Sequence, residues 1–443
     1  MRKFILIFTL ILYSCIEQID VGPELNSVLQ LKGALVVEAN ITNLEKRHQV
    51  FLSRVRRIES DSTVNVTEDL IFNPNTPISN LTINGLGVDF ESNANVKLVS
   101  DNGLEFDFEE VQDGTYQSSE IFAVQPNIEY QLLIRTEDGE EYLSEKKEIV
   151  GYTNIDNMYA ERIINDNGKE GIGIFIDASH SNSDSPYFRY IFDETYKIIA
   201  PNWTPFEFEI IQEEFEVLPD GEVRYPDVRL VPRAREEMIC YRTDPSRQII
   251  LSNTLGLEEP KLERFLVRFI PRDNPILSHR YSILIQQFGI SRESYTFYEN
   301  LKKFSSSSLV FSQIQPGLLE GNIRHINGDS KAVGYFDIAT EITQRIYFNY
   351  TDFFAGEDLP PYFGTVICDR LLSPPLENPN RDGPPALNCP QPLVPRINLG
   401  LVEYLEVNGS PGQCEGPYFV TPTICGDCNV IGSNVAPAFW TED

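Results

Sequence analysis

The feature that most constrains this chain is the repeated pairing of short, β-branched, alternating segments with Asx-Gly dipeptides. "ALVVEANI" and "NVKLV" are such segments, and residues of this type suit a pleated, half-buried surface. Asn84-Gly85, Asn102-Gly103, Asp113-Gly114 and Asp138-Gly139 punctuate them. Such pairs reach the positive φ that tight hairpins need. In "EYQLLIRTEDGEEYLS", Tyr130, Leu132 and Ile134 share one face at strand spacing. A tyrosine opening a late strand is also how a tyrosine corner begins. Together these runs predict an immunoglobulin-like or fibronectin-like sandwich over residues 34–150.

A second β-region follows. "GIGIFIDAS" sets Ile172, Ile174 and Ile176 on one face, and "FEFEIIQEEFEV" alternates Phe206, Phe208 and Ile210 with Glu207 and Glu209, as a strand with one wet face does. In "HRYSILIQQF", Tyr281, Ile283 and Ile285 repeat the spacing of Tyr130, Leu132 and Ile134. A second sandwich is expected over residues 151–350. One helix is legible inside it, at 291–304. Ser291 caps it, Glu293 sits in the first turn, and Lys302 and Lys303 sit in the last. Phe297, Leu301 and Phe304 recur at i, i+4 and i+7, an apolar stripe that would pack on the second sheet. "SSSS" at 305–308 reads as a joint, after which "NIRHING", "KAVGYFDIA" and "RIYFNY" return to strands.

Residues 351–443 differ in texture. "LLSPPLENPNRDGPPALNCPQPLVP" has little room for regular structure. Five of the six cysteines that follow Cys15 lie there: Cys368, Cys389, Cys414, Cys425 and Cys428, with Cys240 upstream. An even number in an exported chain reads as disulfides, with fifteen possible connectivities. A Cys368–Cys389 bridge is expected around the proline-rich stretch, and a loop of about 20 residues closed this way is worth roughly 3 kcal/mol. Cys425-Gly426-Asp427-Cys428 is the most pointed motif. Besides structural bridges, it could form a redox pair or half a zinc site completed by Cys389 and Cys414. A redox pair wants a helix start inside a βαβ unit, and zinc wants regular spacing and a reducing compartment. Disulfides are therefore expected, and no metal. The fold class expected is mainly β: tandem immunoglobulin/fibronectin-like sandwiches, one short helix and a disulfide-stapled C-terminal tail.

The N-terminus supplies the address. Arg2 and Lys3 precede a largely apolar run, Phe4 to Tyr13, too short to span a bilayer but suited to a secretory signal. Leu12-Tyr13-Ser14-Cys15 resembles a bacterial lipobox. Residues 1–14 are then the signal peptide, Cys15 the lipidated first residue of the mature chain, and residues 15–33 a tether. Two or more acyl chains, at about 0.8 kcal/mol per buried methylene, hold a protein stably on a membrane. Glu17 and Asp20 resemble the acidic surface-export signal of Bacteroidota lipoproteins. The expected location is the outer membrane, by lipid anchor, with the cell surface favoured over the periplasmic face. Asp61-Ser62-Thr63 resembles an O-glycosylation sequon, making Ser62 a candidate acceptor.

The chain carries a formal charge of −30, with 66 acidic residues against 36 basic ones. That field repels phosphate backbones and excludes nucleic acid as an expected partner. The four histidines, His48, His180, His279 and His325, show no metal-ligand spacing and read as surface or loop residues. No nucleophile elbow, phosphate loop or dinucleotide fingerprint occurs. Carboxylate pairs such as Glu213-Glu214 are abundant but do not define opposed glycosidase carboxyls. Aromatic residues, 20 Tyr and 27 Phe, are expected to fill cores, with a stacking platform for sugar or peptide as the alternative. No catalytic residue and no cofactor are assigned, and no enzymatic activity is expected.

The lipobox, "GALVVEANI", "YTFYENLKKF", "QPGLLEGNI", "VGYFDIA" and the ending "CGDCNVIGSNVAPAFW" resemble Bacteroidota outer-membrane lipoproteins of the domain-of-unknown-function 4249 family. The resemblance spans nearly the whole mature chain, and its most specific part is Cys425-x-Asp427-Cys428 followed by Pro437-x-Phe439-Trp440. It implies a TonB-dependent outer-membrane receptor as partner, because members tend to be encoded beside such receptors. The expected function is that of an accessory in ligand capture or gating. A stand-alone adhesive or structural surface module is the alternative, and a glycan or peptide hydrolase a more distant one.

Overall fold

The computed structural model describes residues 33–55, 89–180, 185–221, 223–306, 321–328, 332–363, 367–376, 392–412 and 414–442. The candidates Cys15, Ser62 and Cys389 and the Asn84-Gly85 turn lie outside those residues.

The first body uses strands β1 (Leu35–Thr42), β2 (Gln49–Arg54), β3 (Asp89–Phe90), β4 (Asn95–Ser100), β5 (Glu105–Gln112), β6 (Thr115–Ser118), β7 (Tyr130–Arg135) and β8 (Glu141–Ser144). They pair antiparallel in the order β1-β2-β6-β5-β4-β7-β8, with β3 on β2. The expected turns form: Gly103, Gly114 and Gly139 have φ of 87°, 65° and 88°. At Gly114 a Cβ would also stand 2.4 Å from the Leu52 carbonyl oxygen, so only glycine fits. One face of each strand except β3 points inward. Val37, Leu52, Val96, Leu98, Tyr116, Leu132, Ile134 and Tyr142 are buried in a single core. The Tyr130 hydroxyl accepts a hydrogen bond at 2.9 Å from the Gln125 N–H, which is the expected tyrosine corner.

The second body is built from β9 (Thr153–Ile164), β10 (Glu170–His180), β11 (Tyr187–Ile199), β12 (Phe206–Gln212), β13 (Glu216–Val217), β14 (Val223–Arg224), β15 (Asp227–Pro232), β16 (Ile239–Pro245), β17 (Ile250–Asn253), β18 (Lys261–Pro271) and β19 (Arg280–Ile290). Strands β18-β10-β9 form one layer, and β16-β11-β19 belong to the facing one. Between them lie Ile172, Ile174 and Ile176 from one side and Phe188, Tyr190, Tyr281, Ile283 and Ile285 from the other. The helix spans Arg292–Ser306. The Ser294 N–H donates to Ser291 Oγ at 3.1 Å, and Phe297 is buried on the outer face of the second body. The alternation in β12 is imperfect. Phe208 packs against Tyr404 and Tyr418, whereas Phe206 stays exposed at the root of the arm that β12 to β15 make.

Strands β20 (Ile323–His325) and β21 (Ala332–Asn349) change the domain picture. The N-terminal half of β21 pairs parallel with β1, from Leu35↔Ala332 to Thr42↔Ala339. Its C-terminal half pairs antiparallel with β19, from Gly289↔Thr340 to Arg280↔Asn349. A single 14-stranded sheet therefore runs through both bodies. Strand β21, within the expected second sandwich of 151–350, thus also pairs with the edge of the first, expected over 34–150. β1 has a local hairpin partner on one edge only, and a segment almost 300 residues later supplies the other. At the crossing, Glu341 is buried and accepts from Thr42 Oγ1 at 2.8 Å and from the Lys46 ammonium.

The C-terminal region adds β22 (Leu371–Leu372), β23 (Val402–Val407) and β24 (Tyr418–Pro422), ordered β22-β24-β23. Two bridges tie it down: Cys240–Cys428 and Cys368–Cys425. Cys414 is also disulfide-bonded. The expected Cys368–Cys389 closure is replaced by Cys368–Cys425. The reason is packing: the one-turn helix Thr423–Gly426 sets Cys425 and the following Cys428 into the second core, where Cys240 is also buried.

Candidate functional site

Among the described residues, two clefts lie where β21 ends. Asn349 leads into the one-turn helix Tyr350–Phe353, and its N–H donates to Asp352 Oδ2 at 2.7 Å. Tyr350 is buried, and its hydroxyl donates to the Asp358 carbonyl at 3.0 Å. The two clefts flank it, both sharing Tyr350 and Leu359.

The larger cleft, about 470 Å³, is walled by Lys169, Glu170, Arg272, Asp273, Asp358 and Pro360. Its charges are interlocked. Arg162 reaches Glu170 at 2.6 Å and Glu357 at 2.9 Å, and Arg272 reaches Glu357 at 2.6 Å. Both guanidinium groups lie over the Phe354 ring, at 4.5 and 5.5 Å, an attractive arrangement for a cation and a π face. The Arg162 hydrogen bond holds the Glu170 carboxyl below its usual range.

The smaller cleft, about 380 Å³, is walled by Lys197, Ser278, His279, Arg280, Thr351 and Glu442. Burial, and then the Lys197 charge, lowers the His279 pKa, so the imidazole is neutral at pH 7 and both donates and accepts. The Ser278 hydroxyl is committed to the Pro275 carbonyl at 2.8 Å. Both volumes fall in the range of about 300–1,000 Å³ typical of small-ligand sites. Charged groups of both signs line them, which suits a compact polar ligand held by several hydrogen bonds. Sequence reasoning missed this site, because its walls come from five strand ends and from residues as far along the chain as Glu442.

The residues singled out from sequence lie elsewhere. His48 and His180 are not surface residues but are buried, bonded to the Phe122 carbonyl at 3.0 Å and to Thr254 Oγ1 at 2.9 Å. Glu213 and Glu214 sit exposed on the arm. Cys425 and Cys428 are bonded to different, distant partners, so Cys-x-x-Cys is neither a redox couple nor a zinc half-site. Among the described residues no group of three or more His, Cys, Asp and Glu could hold a metal ion, and no helix is long and apolar enough to cross a membrane.

The family described as a domain of unknown function (DUF4249) matches residues 22–345. The chain belongs to that family. The DUF4249 match covers the first body and most of the second and stops inside β21. It does not reach the Cys425 to Trp440 pattern. No curated protein matches this sequence.

The Pro437-x-Phe439-Trp440 ending instead has a local structural role. It lies against the outer face of the second sheet. Trp440 meets the Tyr241 and Tyr347 rings at 5.0 and 6.3 Å, and the Arg345 guanidinium lies 3.7 Å from the Phe439 centroid. Glu442 pairs with Lys197 at 2.9 Å and so forms one wall of the smaller cleft.

Proposed function

We propose that this DUF4249 chain is a lipid-anchored outer-membrane protein that presents a ligand-holding end to a TonB-dependent receptor, as an accessory in capture or gating rather than as an enzyme. The observation that carries the reading is the polarity of β21. The tether of residues 15–33 enters β1, and β1 begins beside the start of β21 at Leu35↔Ala332. The clefts open where β21 ends, at Asn349 and Tyr350. Eighteen residues of strand extend up to roughly 56 Å at about 3.3 Å per residue. The start of β1 and the clefts thus lie at opposite ends of one continuous strand. The lipobox at Cys15 and family membership support the address.

Two measurements test this. Mass spectrometry of the mature chain should find acylated Cys15, and Cys15→Ala should move the protein from the membrane to the soluble fraction. Detergent extraction through the native anchor, with cross-linking, should recover a receptor barrel. An unmodified Cys15 removes the address, and recovery of no barrel removes the partnership.

A further inference from the structure

We propose that the outer face of the second sheet beneath the C-terminal tail is a receptor surface for a protein segment carrying two adjacent aromatic residues followed closely by a carboxylate, and that the tail occupies it in cis. This goes beyond ligand capture in the clefts and requires neither a lipid anchor nor a membrane receptor.

The surface is specific in its composition. Lys197 and Tyr241 are directly opposed on β11 and β16, as are Ser282 and Tyr347 on β19 and β21. Their neighbours Ile198, Cys240, Tyr281 and Phe348 face the core, so these four side chains face outward, by strand alternation. Arg280 and Arg345 extend the same face.

 Arg345 donates from its guanidinium to Ser282 Oγ at 3.0 Å, and Arg280 lies over the Tyr347 ring at 5.2 Å. Two aromatic rings and three cations thus share one outer sheet face, beneath the tail, in a protein of formal charge −30.

The tail shows what this surface selects. The Trp440 N–H donates to the Pro437 carbonyl at 2.8 Å, closing a turn. The turn presents Phe439 to Arg345, Trp440 to Tyr241 and Tyr347, and Glu442 to Lys197 and the Tyr241 hydroxyl, the last two at 2.9 Å. Thr441 Oγ1 accepts from Arg280 at 3.3 Å, and the Tyr347 hydroxyl donates to the Phe439 carbonyl at 2.6 Å.

The manner of attachment makes the tail exchangeable. Covalent fixation ends at Cys428, and reciprocal backbone pairing with β16 ends at Tyr241↔Ser433. Among the described residues beyond Ser433, the tail is held on the sheet by side chains: an exposed ion pair, single hydrogen bonds and ring contacts. Such contacts are individually weak. Phe439 remains 39% exposed in place. A segment with the same order of groups can therefore make the same contacts in trans.

The probe is a fluorescein-labelled peptide of sequence SNVAPAFWTED, followed by anisotropy. The full chain carrying Phe439→Ala and Trp440→Ala should bind it saturably, and the unmodified chain at least tenfold more weakly, because its own tail competes. Adding Arg345→Gln and Lys197→Gln should weaken the peptide at least tenfold again. Absence of saturable binding, equal binding to both chains, or indifference to the two cation substitutions overturns the proposal. A second readout avoids substitutions in the platform. The chain has two tryptophans, so Trp203→Phe leaves Trp440 as the sole reporter. Excess peptide with Phe in place of its Trp should red-shift Trp440 emission and open it to iodide quenching. An unchanged spectrum at saturating peptide counts against displacement and sinks the idea.

Discussion

The carboxamide of Asn322 meets both backbone groups of Phe336: Nδ2 donates to the Phe336 carbonyl at 2.7 Å, and the Phe336 N–H donates to Oδ1 at 2.8 Å. The side chain thus acts as one residue of a strand. It joins the β8-β20 end of the first sheet to β21, and the Glu145 N–H donates to the Asn322 carbonyl at 2.7 Å on the other side. Removing it strands two buried backbone groups. Asn322→Ala should cost on the order of 2–4 kcal/mol, since each unsatisfied buried group costs about 1–3 kcal/mol. Hydrogen exchange at the Phe336 amide, together with thermal melting, checks this. An unchanged exchange rate would show that the seam is held by other contacts.

The bridge pattern makes a distinctive prediction. Peptide mapping under non-reducing conditions should recover Cys240 with Cys428 and Cys368 with Cys425, and no Cys425–Cys428 pair. The sequence separations are 188 and 57. Loop-closure entropy then gives about 5 and about 4 kcal/mol for the two bridges taken singly. Cys240→Ser/Cys428→Ser should lower the melting temperature more than Cys368→Ser/Cys425→Ser does. The reverse order would mean that native packing, not the length of chain enclosed, sets their value.

His48 sets one pH limb. Burial, and then the Lys46 charge, lowers its pKa from 6.5 to about 4. The folded state binds this proton less tightly than the unfolded state does. Its contribution is therefore full above about pH 6.5 and is lost as the pH falls toward 4. His48→Gln should flatten unfolding free energy across that window. A pH profile identical to that of the unmodified chain would exclude His48 as the cause.

Asp337 and Glu403 act in the opposite direction. Burial raises Asp337 from 3.8 to about 6, opposed by the Ser294 hydroxyl that donates to it, and burial raises Glu403 from 4.5 to about 7, opposed by Arg233. Both carboxyls hold their protons more tightly when folded. Stability from these groups therefore falls as pH rises, from about 4 to 6 for Asp337 and from about 4.5 to 7 for Glu403. Asp337→Asn, which keeps an acceptor for Ser294, should reduce the decline between pH 4 and 6 to the part that Glu403 contributes. If the decline is undiminished in that variant, Asp337 is already ionised there.

Tyr281, Glu194 and Arg268 form a polar knot inside the second core. The tyrosine hydroxyl donates to Glu194 Oε2 at 2.8 Å, and the guanidinium donates to both carboxylate oxygens, at 3.2 and 3.0 Å. Arg268→Met should destabilise the chain by about 3–5 kcal/mol, because it leaves a buried carboxylate without its counter-charge. Arg268→Met combined with Glu194→Leu should recover most of that loss. Chemical denaturation of both variants checks the ordering, and a double variant no better than the single one would refute it.

Local signals were legible where local physics decides the outcome. The Asx-Gly turns, the Tyr130 corner, the Ser291-capped helix and the inward faces of β7 and β19 all depend on residues within a few positions of one another. The closing strand of the first body was not legible. "KAVGYFDIA" reads as a strand from its own composition, but nothing in it states that Phe336 will face Ala39, nearly 300 positions earlier. The clefts were hidden for the same reason, since Lys197, His279, Tyr350 and Glu442 have no sequence relation.

By itself the sequence determined the class of structure: strands with one apolar face, hairpins at glycines that accept positive φ, and six cysteines beyond Cys15 that can pair. Only the tertiary structure decided which edges pair, which sulfurs join and where concave surface forms. Alternation specifies that a strand must bury a face but not which neighbour covers it. Likewise, thiol count fixes that bridges can form, but only the packing that brings Cys428 beside Cys240, and Cys425 beside Cys368, selects one pairing from fifteen.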